Sequence, residues 1–194
     1  QKNLIIKANG NIKVYQMEKG LIIKTSSIIY DQKNNILSSS TKSILTDSHK
    51  NIFNVDSFYY ELNKDVLKIE NVNFKDIENN NFNTSLAYIN TKTNKLFGKN
   101  ISIDLNNKSF NKNNEPRLKG NSVINDNNFT EITKGVFTTC KKRDSCPPWQ
   151  LSAEKIQHDK KKKIINYKNA WLKVYNVPVM YFPKFFHPDP TVKR

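Results

Sequence analysis

Apolar and polar positions alternate along this chain in short runs, and a helical period is nearly absent. Runs rich in Ile, Val, Phe, Tyr and Thr are separated by clusters of Asn, Asp, Lys and Ser, the signature of strands joined by turns. The clusters fall at residues 31–35, 47–51, 63–65, 76–81, 90–94 and 106–108. Their interval of about 14 to 16 residues holds a strand, a turn and the next strand. Asn and Asp suit such turns because they tolerate left-handed backbone and bond their own main chain. The run Lys160-Lys161-Lys162-Lys163 sits where another hairpin turn is expected.

The regular interval points to an internal repeat. Ile28-Ile29-Tyr30-Asp31, Phe58-Tyr59-Tyr60-Glu61, Ala87-Tyr88-Ile89-Asn90 and Ile101-Ser102-Ile103-Asp104 each enter a polar turn from a β-favouring stretch. The expected fold is all-β: an open, twisted antiparallel β-jelly roll of stacked hairpins, whose inward faces form an apolar groove. The scarcity of glycine, five residues, argues against a tightly wound parallel β-helix. Beyond residue 111 the texture changes. Strands are expected up to Val123, over 131–139, over 149–153 and over 164–174, with a charged, Pro-closed loop from Cys140 to Pro148. Pro178 and Pro183 exclude the tail from the middle of a sheet.

Composition narrows the chemistry. A net charge of +15 favours an anionic partner, although lysine is spread along the whole chain. No apolar run approaches the roughly 18 residues of a spanning helix, and the first residues lack the features of a signal peptide. Two cysteines, Cys140 and Cys146, are too few for a disulfide scaffold or a zinc site, which leaves one disulfide or two free thiols. The loop between them is short enough for their α-carbons to approach disulfide distance, so pairing is expected in this fragment. His49, His158 and His187 read as solvated turn residues. With no phosphate loop, nucleophile elbow or paired-Cys spacing, no enzyme, cofactor or metal is expected.

The C-terminal third carries a resemblance. Phe137-Thr138-Thr139-Cys140 followed by Pro147-Pro148-Trp149-Gln150-Leu151-Ser152-Ala153 resembles the Thr-Cys and Trp-strand pattern of the LptD (OstA) family of lipopolysaccharide-assembly proteins. Asn176-Val177-Pro178-Val179-Met180-Tyr181-Phe182-Pro183 is similar to the family's GVPVFYxPY strand, with Asn176 in place of the usual glycine. The ending Pro188-Asp189-Pro190-Thr191-Val192-Lys193-Arg194 resembles the junction before the family's outer-membrane barrel, and Glu115-Pro116-Arg117-Leu118-Lys119-Gly120 fits a weaker motif. The resemblance is specific over 115–194. Upstream it consists only of the strand texture shared by the periplasmic proteins of this transport line.

The resemblance implies an OstA-like β-jelly-roll domain over 1–176 and a linker over 177–194 leading to an absent barrel, at the periplasmic face of the outer membrane. On their own, Ile23, Ile29, Phe58, Tyr60, Leu67, Ile69, Phe74, Ile101, Ile103, Leu105, Trp149 and Leu151 read as ordinary core. The family implies instead that they line a groove for the lipid A acyl chains of lipopolysaccharide. It further implies that the first strand, with Leu4, Ile6, Ile12 and Val14, accepts the periplasmic bridge protein LptA by edge-strand addition. The lipoprotein LptE would be reached through the barrel, and Cys140 would bond to the barrel in the intact protein. Three other readings compete: a soluble bridge-type protein of the same transport line, a basic nucleic-acid-binding β protein, and a β-solenoid carbohydrate enzyme. The nucleic-acid reading requires aromatics interleaved with Lys on an exposed strand face, whereas lysine falls mainly in the turn clusters. The enzyme reading requires clustered inward carboxylates, which the pattern lacks.

Overall fold

The computed structural model describes residues 4–48, 50–75, 79–106, 110, 113–142 and 147–189. Strand makes up 71% of these residues, without an α-helix among them. The strands are β1 (Ile5–Gln16), β2 (Leu21–Asp31), β3 (Ile36–Ser39), β4 (Ser43–Thr46), β5 (Ile52–Val55), β6 (Ser57–Glu61) and β7 (Val66–Lys75). They continue with β8 (Asn81–Asn90), β9 (Lys95–Asp104), β10 (Arg117–Asn125), β11 (Phe129–Thr138), β12 (Trp149–Asp159), β13 (Ile164–Val174) and β14 (Val177–Pro188).

All fourteen join one antiparallel sheet, and from β7 to β14 neighbours in space are neighbours in sequence. The short strands obey the same rule. β3 and β4 are two halves of one strand lying against β2, at Ile29–Asp31 and at Ile22–Thr25. β6 and β5 are likewise two halves lying against β7. The architecture is therefore a simple meander with β1 at one edge and β14 at the other.

The turn residues do what their chemistry predicts. Asp31 Oδ1 accepts from the amides of Lys33 and Asn34, Asn90 Oδ1 from Lys92 and Thr93, and Asp159 Oδ1 from Lys161 and Lys162. The turns close on left-handed Asn35, Asp65, Asn94 and Lys163. Within the lysine turn, Lys160 folds back to donate to Asn125 Oδ1 at 2.9 Å and to the Asp126 carbonyl, and partial burial pulls its pKa below the ordinary range.

A crease crosses the sheet. Between the pairs Glu70–Leu86 and Val72–Thr84, Asn71 faces Ser85 without a ladder pairing. The gap recurs at Asn100 opposite Asn121, Lys134 opposite Glu154, and Asn169 opposite Pro183. Asn71, Asn100, Lys134 and Asn169 are all left-handed, with φ of 49, 54, 48 and 50°. In β3–β6 the same row falls at Thr41 and Asp56, where the strands break outright. Each crease residue bends its strand outward and reverses which alternate positions face inward. Thus Leu67 and Ile69 are buried before the crease, and Val72 after it.

The crease divides the sheet into two leaves. The upper leaf ends in the turns at 32–35, 62–65, 91–94, 126–128 and 160–163, the lower leaf in the turns at 17–20 and 175–176 and where Asp47 bonds Lys50 and Asn51. Inside the crease only small side chains fit. A Cβ on Gly120 would lie 2.3 Å from Ile132 Cγ2, and one on Gly135 2.4 Å from Ile156 Cδ1. Gly135, Ala153 and Ala170 are consecutive partners across β11–β13. Near β1 the leaves meet: Lys19, on the lower β1–β2 turn, makes an ion pair with Asp65 and donates to Thr91 Oγ1 at 3.4 Å, both on upper turns. The Thr91 hydroxyl also lies 2.9 Å from that of the buried Tyr60. Two apolar clusters fill the interior, one over β2–β8 and one over β9–β13.

One expected boundary needs correction. Residues 177–188 are not a linker but the edge strand β14, paired with β13 along its length. Proline excludes a strand from the sheet interior, not from an edge, and Pro183 falls on the crease where no ladder pairing is made.

Candidate functional site

Following the register from edge to edge on the inner face of the lower leaf gives an unbroken apolar row. It begins Val14, Ile23, Leu45, Phe53, Phe74, Phe82, each directly opposite the next. It continues through Ile103, Leu118, Phe137, Leu151, Leu172 and Met180. Phe53, Phe74 and Phe82 stack along it with ring centroids 4.9 and 4.5 Å apart. A parallel row on the upper leaf runs from Tyr30 through Leu37, Tyr60, Leu67 and Ile89 to Leu96. Beyond β9 it turns polar, at Asn125, Thr130 and His158.

Most of the residues expected to line a groove face this interior. Ile23, Phe58, Tyr60, Leu67, Ile69, Ile101, Ile103 and Leu151 are buried, and Phe74, Leu105 and Trp149 are half-buried beside them. They are packed against one another, with Ile69 and Tyr60 only 1% exposed, so the leaves are closed along the first cluster. Ile29 is the exception. It is 39% exposed on the outer face, because its neighbour Ile28 takes the inward position. The positions of the lower-leaf row missed by sequence reasoning are Leu45, Phe53, Phe82, Leu118, Phe137, Leu172 and Met180. Their signal was apolar spacing of three across each mid-strand Asn, Lys or Gly, rather than strict alternation.

The interior is least covered at the two edges. On β1, Ile12 and Val14 pack on the first cluster, whereas Ile6, and Leu4 just before the strand, are 46% and 59% exposed. β1 pairs only with β2, so its outer backbone edge faces solvent. On β14, Phe182 is half-buried while Met180 and Phe185 are 51% and 37% exposed beside Leu172 and Tyr167.

Polar groups frame that second mouth. Tyr167 is buried, its hydroxyl 3.0 Å from His187 Nε2, and burial pushes its phenol up to about 12. His158 Nε2 lies 2.7 Å from Asp189 Oδ2, out of line for a hydrogen bond. Neither histidine is a solvated turn residue: His158 lies in β12 and His187 in β14, both half-buried, because each occupies an inward-facing strand position. His49 lies outside the described residues.

Cys140 is a half-buried free thiol with Sγ 3.6 Å from the Trp149 carbonyl oxygen. Cys146, its expected partner, lies outside the described residues. Among the described residues no three His, Cys, Asp or Glu side chains converge as metal ligands would. No protein-family model matches the chain, and no curated protein is significantly similar to it.

Proposed function

We propose that this chain is the periplasmic domain of a lipopolysaccharide-assembly protein of the LptD (OstA) family. On this reading it is a non-enzymatic conduit that shields lipid A acyl chains on their way to an outer-membrane barrel. The observation that carries the reading is the edge-to-edge apolar row from Val14 to Met180. It crosses every strand of the lower leaf, from half-buried Val14 at one edge to exposed Met180 at the other. An ordinary β domain buries a local core. A row that continues to both open edges suits a ligand that slides.

Acyl chains would be driven into the interior by roughly 0.8 kcal/mol per buried methylene. They would replace side-chain contacts between the leaves, so loading requires the crease to open. The unpaired edge of β1 would accept a strand of the bridge protein LptA and make the two interiors continuous. The β14 end would deliver to the barrel and its lipoprotein partner LptE, at the periplasmic face of the outer membrane.

A photo-crosslinking residue placed at inward Ile103 or Leu118, and at their outward neighbours Ser102 and Lys119, tests this directly. Lipopolysaccharide adducts should form at the first pair alone and persist in high salt, because apolar burial is not screened. Equal labelling of both pairs would refute the conduit.

A further inference from the structure

The outer face of the upper leaf is not polar where a solvated sheet should be. Tyr59, Lys68, Tyr88, Phe97 and Ile124 are directly opposite one another on five consecutive strands. The tyrosines, Phe97 and Ile124 are each between 36% and 42% exposed. At the usual strand spacing the row is about 20 Å wide. None of these residues contributes to either interior cluster.

We propose that this face docks on a phospholipid leaflet with anionic headgroups. Tyrosine and lysine both present an apolar body with a polar tip, the composition that settles at a bilayer surface. Lys68 is neutralised by Glu70 at 2.7 Å, but Lys92 and Lys99, at the rim of the same strands, have no acidic partner within 4 Å among the described residues. The chain's charge of +15 gives the same sign. Phe97 and Ile124 favour lipid over nucleic acid, because neither can contact a phosphate and an aliphatic side chain offers no stacking surface. On β5 and β7–β9 the corresponding outer row of the lower leaf is polar, Asn54, Asn73, Asn83 and Ser102, and its exposed apolar members lie towards the two edges, Ile44 at one and the paired Trp171 and Tyr181 at the other. The inference concerns the outside of the sheet and does not depend on what the interior carries.

Co-sedimentation of the chain with vesicles of phosphatidylethanolamine and phosphatidylglycerol, against vesicles of phosphatidylcholine, reads the interaction without lipopolysaccharide. The native chain should bind the anionic vesicles. Tyr88→Ser with Phe97→Ser, and separately Lys92→Glu with Lys99→Glu, should each weaken binding by roughly tenfold or more. Asn54→Ser with Asn83→Ser should leave it unchanged. The emission that Phe97→Trp adds to the native chain's should shift to the blue on anionic vesicles, independently of any loss-of-binding variant. Absence of vesicle binding by the native chain, or equal weakening by the lower-leaf pair, overturns the proposal. So does binding of single-stranded nucleic acid that is lost on Tyr88→Ser with Phe97→Ser while vesicle binding is unaffected. Because no cargo is present, failure here leaves the crosslinking test of the interior untouched.

Discussion

Where the two leaves face each other across β2–β9, both present apolar and tyrosine side chains in register across the strands. Turned outward they differ. On β5 and β7–β9 the lower leaf shows an Asn and Ser row in which Asn73 donates to Asn81 and Asn83 at 3.1 and 2.7 Å, with exposed Ile44, Trp171 and Tyr181 only towards its two edges. The upper leaf shows tyrosine, phenylalanine and isoleucine. Because alternate residues of a strand point to opposite faces, the inner and outer rows are chemically independent. Burial dictates the inner rows of both leaves and says nothing about the outer ones. The aromatic outer row is therefore not explained by stability, whereas the asparagine row needs no explanation beyond solvation.

That contrast breaks most visibly if inner and outer residues prove equally costly to remove. Ile69→Ala and Leu45→Ala, one on each inner face, should each lose about 2–5 kcal/mol in urea unfolding, while Phe97→Ser on the outer face should cost under about 1 kcal/mol. A comparable loss at Phe97 would mean that the outer row belongs to the fold. The crease that separates the leaves gives the next effect. Asn71→Val forces a β-branched residue into left-handed backbone and should cost roughly 1–3 kcal/mol, whereas Asn71→Gly should be neutral or slightly stabilising.

The clasp comes third. Lys19→Ala removes the ion pair and hydrogen bond that join the leaf ends and should cost about 1–2 kcal/mol. It should also raise amide exchange in β1 and β2 before the rest of the sheet; uniform exchange would deny that the leaves part there. Tyr167 gives the smallest effect. Burial holds its phenol at about 12 in the folded chain, against about 10 when exposed. Since the fold binds this proton more tightly, its contribution is complete below pH ~10 and is lost as pH rises towards 12. Tyr167→Phe should flatten that alkaline decline while changing stability at neutral pH by no more than about 1 kcal/mol. An unchanged alkaline limb would place the loss at another group.

Much of this was legible in the amino-acid order. Asp31 and Asn90 announced turns through a mechanism the structure reproduces, bond for bond, and the turn expected at Lys160–Lys163 is also there. Pro178 and Pro183 correctly ruled out a central strand, although treating the whole tail as a linker went too far. The inward set was harder to read, because strict alternation is broken once in each strand. Asn71, Asn100 and Asn169 look like ordinary polar strand positions, and nothing local distinguishes a left-handed asparagine from an extended one. Ile29 was placed inside for that reason: beside Ile28 only the register decides which one turns inward. The outer aromatic row was invisible because its members are 9 to 27 residues apart in sequence and become neighbours only through four pairings.

The meander also has a kinetic consequence. Each strand pairs with the one before it, so the sheet can grow as a zipper, closing one short loop for each strand it adds. Loop-closure entropy then stays small at every step. The growing sheet always carries a fresh row of unpaired amides on its newest strand, and the finished molecule keeps one at β1. Two copies meeting at high concentration can therefore join by the same step that lengthens the sheet. Dilution during refolding should suppress such joining without altering the rate at which a single chain closes.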